Sequence, residues 1–563
     1  MSSSTRRDRQ PRLRRLAACA AFVLSASGLA TALPAAVPAD SGGAAAHAAT
    51  TLKPRTDVDR DGQNDLLFRY PSGAGTMWST KNLSVMDYTY YGYPASQPKD
   101  VIGLGNVRGD SRPEFLQLTA DGRLSLHTAT ATATLAPSWT GTGWQAYDRV
   151  VAADDLNRDG RPDLIARTPS GDVFLYRSNG SATGNPFSAR AKVASGWWGY
   201  DQVIGAGDLD RDGVGDVLAR DRSGILWYYK GTGSATAPFK GRVKVGSGWN
   251  TFSKIIAQGD QDGDGRADLM TLKPSGDVYY YLSKGGGAFW PRSTWGNGWW
   301  WMARAVNEGG NPVYGKNGIT GVNAAGELHF HENRSNGLYP SYETSGTFPA
   351  GRKLVVATGI DGSGQAAVLA FGGGQLLNVK KNAPVSGDFT TTNLVTGPGD
   401  LTGDGRGDLL TRDSAGTLWL RAGQGNGTGF AAPVRVGTGW GAYKALVGSG
   451  DVNGDSRTDL IAQGTDGNLY VFPGNGTATT PFKARQLIGS GWNTYNAIAG
   501  SGDQNGDGRA DIIARDGAGK VYVYYGTGGS GTATFAARKA VEGDGPDGQV
   551  GANHNWNVYP QIG

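Results

Sequence analysis

Short apolar runs alternate along most of the chain with turns rich in Gly, Asp and Ser, and no stretch keeps a helical period. Leu164-Ile165-Ala166-Arg167 is a buried-strand run. The turn Pro169-Ser170-Gly171-Asp172 follows, and Val173-Phe174-Leu175-Tyr176 then alternates as a half-buried strand does. Further on comes a Gly-Trp step with a second aromatic three residues later: Trp144 and Tyr147, Trp197 and Tyr200, Trp249 and Phe252, Trp440 and Tyr443, Trp492 and Tyr495. In all five pairs the second aromatic precedes an aspartate by eight residues, and the bridge, as in Val203-Ile204-Gly205-Ala206-Gly207, reads as another strand. The pattern predicts about four short strands per roughly 50 residues.

The aspartate opens a recurring loop: DVDRDGQND from Asp57, DLNRDGRPD from Asp155, DLDRDGVGD from Asp208, DQDGDGRAD from Asp260, DLTGDGRGD from Asp400, DVNGDSRTD from Asp451 and DQNGDGRAD from Asp503. Three copies are eroded: NVRGDSRPE from Asn106 keeps Asp110 and Glu114, and those near Gly310 and Gly359 keep almost nothing acidic. Ten copies of blade size predict an all-β chain, a β-propeller of about ten four-stranded blades. The aromatic pair due before Asp57 is missing, while Trp556 and Tyr559 stand at the far end with the right spacing. A C-terminal segment that completes the first blade would close a ring without an exposed edge. Ten blades exceed the usual number, and a second closing segment is available in residues 298–306. The expected organisation is then repeats 1–5 over 49–306, closed by 298–306, and repeats 6–10 over 307–563, closed by 553–563. One larger ring or an unequal partition stays open.

Composition changes this picture in two ways. Glycine (91 residues) and 10% aromatics fit tight turns between well-packed strands rather than a disordered chain. Of the formal +5 charge, +4 lies in residues 1–48, so the remainder gives no footprint for nucleic acid. That N-terminal stretch pairs six arginines with the apolar run LAACAAFVLSASGLATALPAA and ends in Ala46-His47-Ala48, the layout of an export signal cleaved near Ala48. Arg14-Arg15 is compatible with a twin-arginine as well as a general export route. The lone cysteine, Cys19, precedes most of the apolar stretch, which argues against lipidation, and a mature secreted chain would carry no disulfide. No other segment is apolar enough to span a bilayer as a helix.

The loop supplies oxygen ligands at positions 1, 3, 5 and 9 and a backbone carbonyl at position 7. In the first copy these are Asp57, Asp59, Asp61, Asp65 and Gln63; in the third, Asp155, Asn157, Asp159, Asp163 and Arg161. The fourth offers Asp208, Asp210, Asp212, Asp216 and Val214, and the fifth Asp260, Asp262, Asp264, Asp268 and Arg266. The eighth has Asp400, Thr402, Asp404, Asp408 and Arg406; the ninth Asp451, Asn453, Asp455, Asp459 and Arg457; the tenth Asp503, Asn505, Asp507, Asp511 and Arg509. An all-oxygen shell without His or Cys suits a hard cation, and Ca2+ fits best, in about seven sites. Carboxylates about 4 Å apart repel by roughly 4 kcal/mol at an effective dielectric near 20, so such a loop calls for a cation. A helix-loop-helix calcium site would need Glu at position 12, where Phe68, Ala166 and Ala219 stand instead.

The loop, the following D-L-[IL] strand and the period resemble FG-GAP/VCBS repeats, over essentially the whole mature chain. The resemblance implies blades like those of the integrin α-subunit head and of calcium-binding propeller lectins, with calcium in the seven intact loops. Metal binding is in doubt in repeats 2, 6 and 7, where position 1 is Asn106, Gly310 and Gly359. The expected function is a secreted, calcium-stabilised recognition module for glycans or extracellular proteins, with ligand contacts in the irregular stretches Trp290–Trp301 and Lys316–His331. The recurrent aromatic pairs are expected to pack between blades. The alternatives are a secreted hydrolase or a structural part of a larger assembly. His329 and His331 share one face of a strand, but no third ligand accompanies them, and no catalytic constellation is identified.

Overall fold

The intact copies become sheets because each apolar run can be covered on both faces by a neighbouring sheet. In a computed structural model, residues 54–563 are described except 71–72, 83, 94–96, 182–183, 300–301, 303, 310–315, 335–336, 339–341, 362–364 and 544–554. The expected export signal therefore lies outside the described residues. So do the start of the copy near Gly310, residues 553–554, and parts of the closing segment 298–306. Residues 49–563 form one compact unit.

One blade shows the plan. Tyr200–Gly207, Asp216–Asp221, Leu226–Tyr229 and Val243–Gly246 pair in that order as an antiparallel sheet. Tyr200–Gly207 is buried throughout, Leu226–Tyr229 alternates, and Val243–Gly246 meets solvent. The acidic loop joins the first strand to the second. Nine such four-stranded sheets and one larger sheet make ten β-propeller blades among the described residues. No α-helix occurs among them, only short 3-10 turns: five at the Gly-Trp steps, one at Trp556–Val558 and one at Gly531–Ala533.

The aromatic pairs seal neighbouring blades. Trp197 and Tyr200 are about 95% buried, in a cluster with Ile165 and Leu175 of one blade and Val217 and Ala219 of the next. Two strand pairings close circuits. Arg304–Ala305 pairs with Leu66–Arg69 as the first strand of the first blade. There Phe68, Ile256, Trp299 and Met302 join blades one and five. Gln561–Ile562 pairs with Gly318–Val322 in the sixth blade, where Ile319, Ile513, Trp556 and Tyr559 join blades six and ten. His331 is fully buried against Trp556, with its Nε2 3.2 Å from the Tyr559 hydroxyl, and His329 stacks on Tyr559. The alternating histidines thus serve the closing seam.

Each circuit holds a cation against its innermost strands. Arg55 donates to the carbonyls of Ala152 and Gly205, both at 2.7 Å, and the Lys316 ammonium donates to Gly448 at 2.7 Å. Burial pushes Lys316 down to about 8. The two circuits meet through loops of blades nine and ten. Ser456 donates to Asp148 at 2.7 Å, Arg509 to Asp201 at 2.9 Å, and Arg222 to the Gly454 carbonyl at 2.7 Å.

Candidate metal centres

Each intact loop is folded by its own first carboxylate. Asp57 accepts the N–H groups of Asp61 and Gly62, both at 3.0 Å, and Asp503 those of Asp507 (3.0 Å) and Gly508 (2.8 Å). The same two bonds recur from Asp155, Asp208, Asp260, Asp400 and Asp451. This turn needs a left-handed residue at position 6. Gly508 has φ +86°, and Ser456, the one non-glycine there, is held at φ +66°. Alternate side chains are thereby gathered on the inner side of the loop.

The gathered oxygens are close. Ligand atoms of Asp57, Asp59 and Asp61 lie within 4.8 Å of one another, as do those of Asp208, Asp210 and Asp216, and of Asp260, Asp262 and Asp268. Two carboxylate oxygens in these loops, Asp65 Oδ1 and Asp210 Oδ1, are buried without a hydrogen-bond partner. Burial pushes the carboxyls of Asp65, Asp163, Asp216, Asp268 and Asp408 up to about 7, with neighbouring carboxylates adding to the rise. Asp451 and Asp503 also rise to about 7, and Asp459 and Asp511 rise well above the usual range, again chiefly through burial. Crowded, desolvated acids with unsatisfied oxygens fit a dication.

The ninth position has a second duty that spacing alone did not show. Its Oδ2 accepts the N–H of position 2, from Val58 to Asp65 (2.8 Å), Leu209 to Asp216 (2.9 Å) and Gln504 to Asp511 (2.7 Å). In the intact loops other than the first, its Oδ1 accepts an N–H fifteen residues onward, as from Gly231 to Asp216 (2.8 Å) and Gly526 to Asp511 (2.9 Å). The residue therefore bolts the loop to the third strand of its own blade. Of the remaining expected ligands, Asn157, Asn453 and Asn505 each accept the N–H of position 5 through the side-chain oxygen. Thr402 donates to Asp400, and Asp159, Asp404, Asp455 and Asp507 accept the N–H of position 7. Internal cations border some loops. Lys230 bonds both Asp210 and Asp212, and Arg266 bonds Asp264 at 2.7 Å. In the eroded second copy, Arg108 stands at position 3, 3.8 Å from Glu114, so a positive side chain sits where the intact loops place an oxygen.

A set of arginines escaped the sequence reading. Arg167 and Arg220 lie four residues after the position-nine aspartate and bind Asp148 and Asp201 of their own blade. Each also donates to the two carbonyls of the next Gly-Trp step: Trp197 and Tyr200 for Arg167, Trp249 and Phe252 for Arg220. Burial alone would raise Asp201, but the guanidiniums of Arg220 and Arg509 outweigh it and hold the carboxyl below its ordinary value. Arg412 and Arg515 repeat the geometry with Asn393 and Asn496 as partners. The repeating signal was the fixed spacing of 19 residues between arginine and partner.

The family comparison finds repeats that begin at four of the intact loops. An FG-GAP-like repeat model matches residues 155–219, 208–271, 400–462 and 451–514. No curated protein matches. Among solved structures, the BP39L lectin from Burkholderia pseudomallei is similar at 17% identity and a TM-score of 0.23, over 70% of this chain and 99% of the lectin. BBS1N in complex with ARL6DN is similar at 11% identity and a TM-score of 0.22, over 72% of this chain and 96% of the other. At these scores neither likeness bears on ligand or activity. Residues 155–271 and 400–514 thus carry FG-GAP-like repeats within a chain of four-stranded β-propeller blades.

Proposed function

We propose that the chain is an exported recognition module, with two five-bladed rings over 49–306 and 307–563 stabilised by calcium in about seven acidic loops. Its partners are glycans or proteins outside the cell. The observation that carries the recognition reading is the split among aromatic side chains. The recurrent pairs are buried between blades, while Tyr91, Trp198 and Trp290 stand about half exposed. Large exposed aromatics on a rigid scaffold supply contact area at low entropic cost. The acidic side chains, which would otherwise suggest catalysis, are occupied in folding their own loops. Calcium is favoured over magnesium because the loop offers several carboxylate, amide and carbonyl oxygens in an irregular shell.

A glycan array probed with the full chain in calcium tests the ligand class. Selective binding to a subset of glycans is expected. A blank array overturns the glycan reading and leaves an extracellular protein as the partner.

A further inference from the structure

A cleft of about 490 Å3 runs between the two circuits of blades, where Pro169, Ser170, Trp198 and Arg222 of the first face Asn453, Asp455, Arg457 and Lys483 of the second. That volume is ordinary for a small-ligand site, roughly 300–1,000 Å3. We propose that this cleft binds an acidic glycan, with Trp198 as the stacking platform and the arginines as the carboxylate-recognising groups. The proposal rests on the recognition reading above and names its site and ligand class.

Trp198 is the first reason. It follows the buried Trp197 and is 58% exposed. The corresponding exposed residue in the other described steps is Gln145, Asn250, Gly441, Asn493 or Asn557, all small or polar. The fold therefore asks only for a residue that tolerates water there; Trp300 holds the same position in sequence but lies outside the described residues, and Trp198 is the described tryptophan of this kind, beside the cleft. An exposed indole face suits the C–H face of a sugar ring.

Charge is the second reason. The charged residues of the lining are Arg222, Arg457, Lys483 and Asp455, an excess of cations. Lys483 is paired with Asp455 at 2.9 Å. Arg222 spends its Nη2 on the carbonyls of Trp198 and Gly454, and its Nε is buried without an acceptor. Among the described residues neither Arg222 nor Arg457 has an ion-pair partner within 4.0 Å. A planar guanidinium with open donors matches a carboxylate on the ligand.

The remaining wall offers polar side chains, the Gln486 amide and the Ser530 hydroxyl, rather than an open strand edge. Gln486–Gly489 is the outer strand of the ninth blade, and the turn Gly531–Ala533 lies over it, with the Gly531 N–H donating to Gln486 Oε1 at 2.8 Å. A peptide that binds by adding a strand has no template there. Asn453 and Asp455 belong to the ninth acidic loop, so the same loop that would take calcium forms one wall of the cleft.

The test is binding of the full chain, in calcium, to a hexamer of galacturonic acid and to a neutral hexamer of glucose. The acidic hexamer is expected to bind and the neutral one not. Trp198→Asn, which installs the residue that stands at 250, should weaken binding roughly tenfold or more without moving the melt. Arg457→Gln should weaken it to a similar degree, and Trp198→Phe should restore part of the loss. Undiminished binding by Trp198→Asn and Arg457→Gln would overturn the cleft while leaving a recognition module. Preference for the neutral hexamer overturns the acidic class. No binding of either hexamer, together with a blank glycan array, overturns both this proposal and the glycan reading it rests on.

Discussion

Chelation with EDTA at pH 7.5 should lower the melting temperature of the full chain by on the order of 15–30 °C, and added calcium should restore it. A ligand held only by the folded state contributes about 2.7 kcal/mol at a hundredfold excess over its Kd. In a unit of 150–250 residues each kcal/mol moves the melt by about 2–4 °C. Three loops in the second circuit are intact, those opening at Asp400, Asp451 and Asp503, so their contributions accumulate in one cooperative body. The pH dependence follows from the raised carboxyls. Without a cation, Asp65, Asp163, Asp216, Asp268 and Asp408 titrate near 7 in the fold and near 3.8 in the unfolded chain. That contribution to stability is full below about pH 4 and is lost as pH rises through 7. The stripped protein should therefore lose stability between pH 4 and 7, and its gap to the calcium-loaded protein should widen over that range. Differential scanning calorimetry with and without chelator reads both effects. An unchanged melt would sink the metal assignment.

Asp201→Ala should destabilise the protein by about 3–5 kcal/mol, or roughly 10 °C in the melt. The carboxylate holds Arg220 through two bonds of 2.9 Å and Arg509 through a third of 2.9 Å. Both guanidiniums are almost fully buried, so removal of the acid strands Arg220 and leaves Arg509 only its 3.0 Å bond to Asp507. Arg220 would also lose its aim at the Trp249 and Phe252 carbonyls, which couple its blade to the next. Asp201→Asn should cost less, because Asn393 and Asn496 serve Arg412 and Arg515 in the same geometry. Denaturant or thermal unfolding of the pair orders them. Equal losses for the two variants would mean that the negative charge, absent from both, holds the seam rather than the hydrogen-bond geometry that Asn retains.

The loop spacing and the aromatic pairs made the blade legible in the sequence, because both are local features that a periodic chain repeats. Asp503, Asn505, Asp507 and Asp511 stand on one loop as their alternation suggested. What local spacing could not show was the second use of each side chain. Asp216 reads as a ligand in sequence, yet it also bolts Leu209 and Gly231 to the loop. Trp198 sits beside a recurrent packing residue and drew no notice, while attention went to Trp290–Trp301. Of that stretch, Trp295 and Trp299 pack on Trp78, and the Trp290 ring lies under Lys284. Contacts between the circuits were beyond sequence reasoning. Asp148 meets Ser456, and Asp201 meets Arg509, each across 308 residues, a separation that no repeat period announces.

The central claim is that the acidic loops are calcium sites, and direct metal analysis tests it most plainly. After dialysis of the calcium-loaded chain against metal-free buffer, plasma mass spectrometry should find several equivalents of calcium per chain, approaching the about seven intact loops, and Asp208→Ala should lower the number. A chain that retains no calcium, or retains the same amount when Asp57, Asp208 and Asp260 are all replaced by Asn, would contradict it.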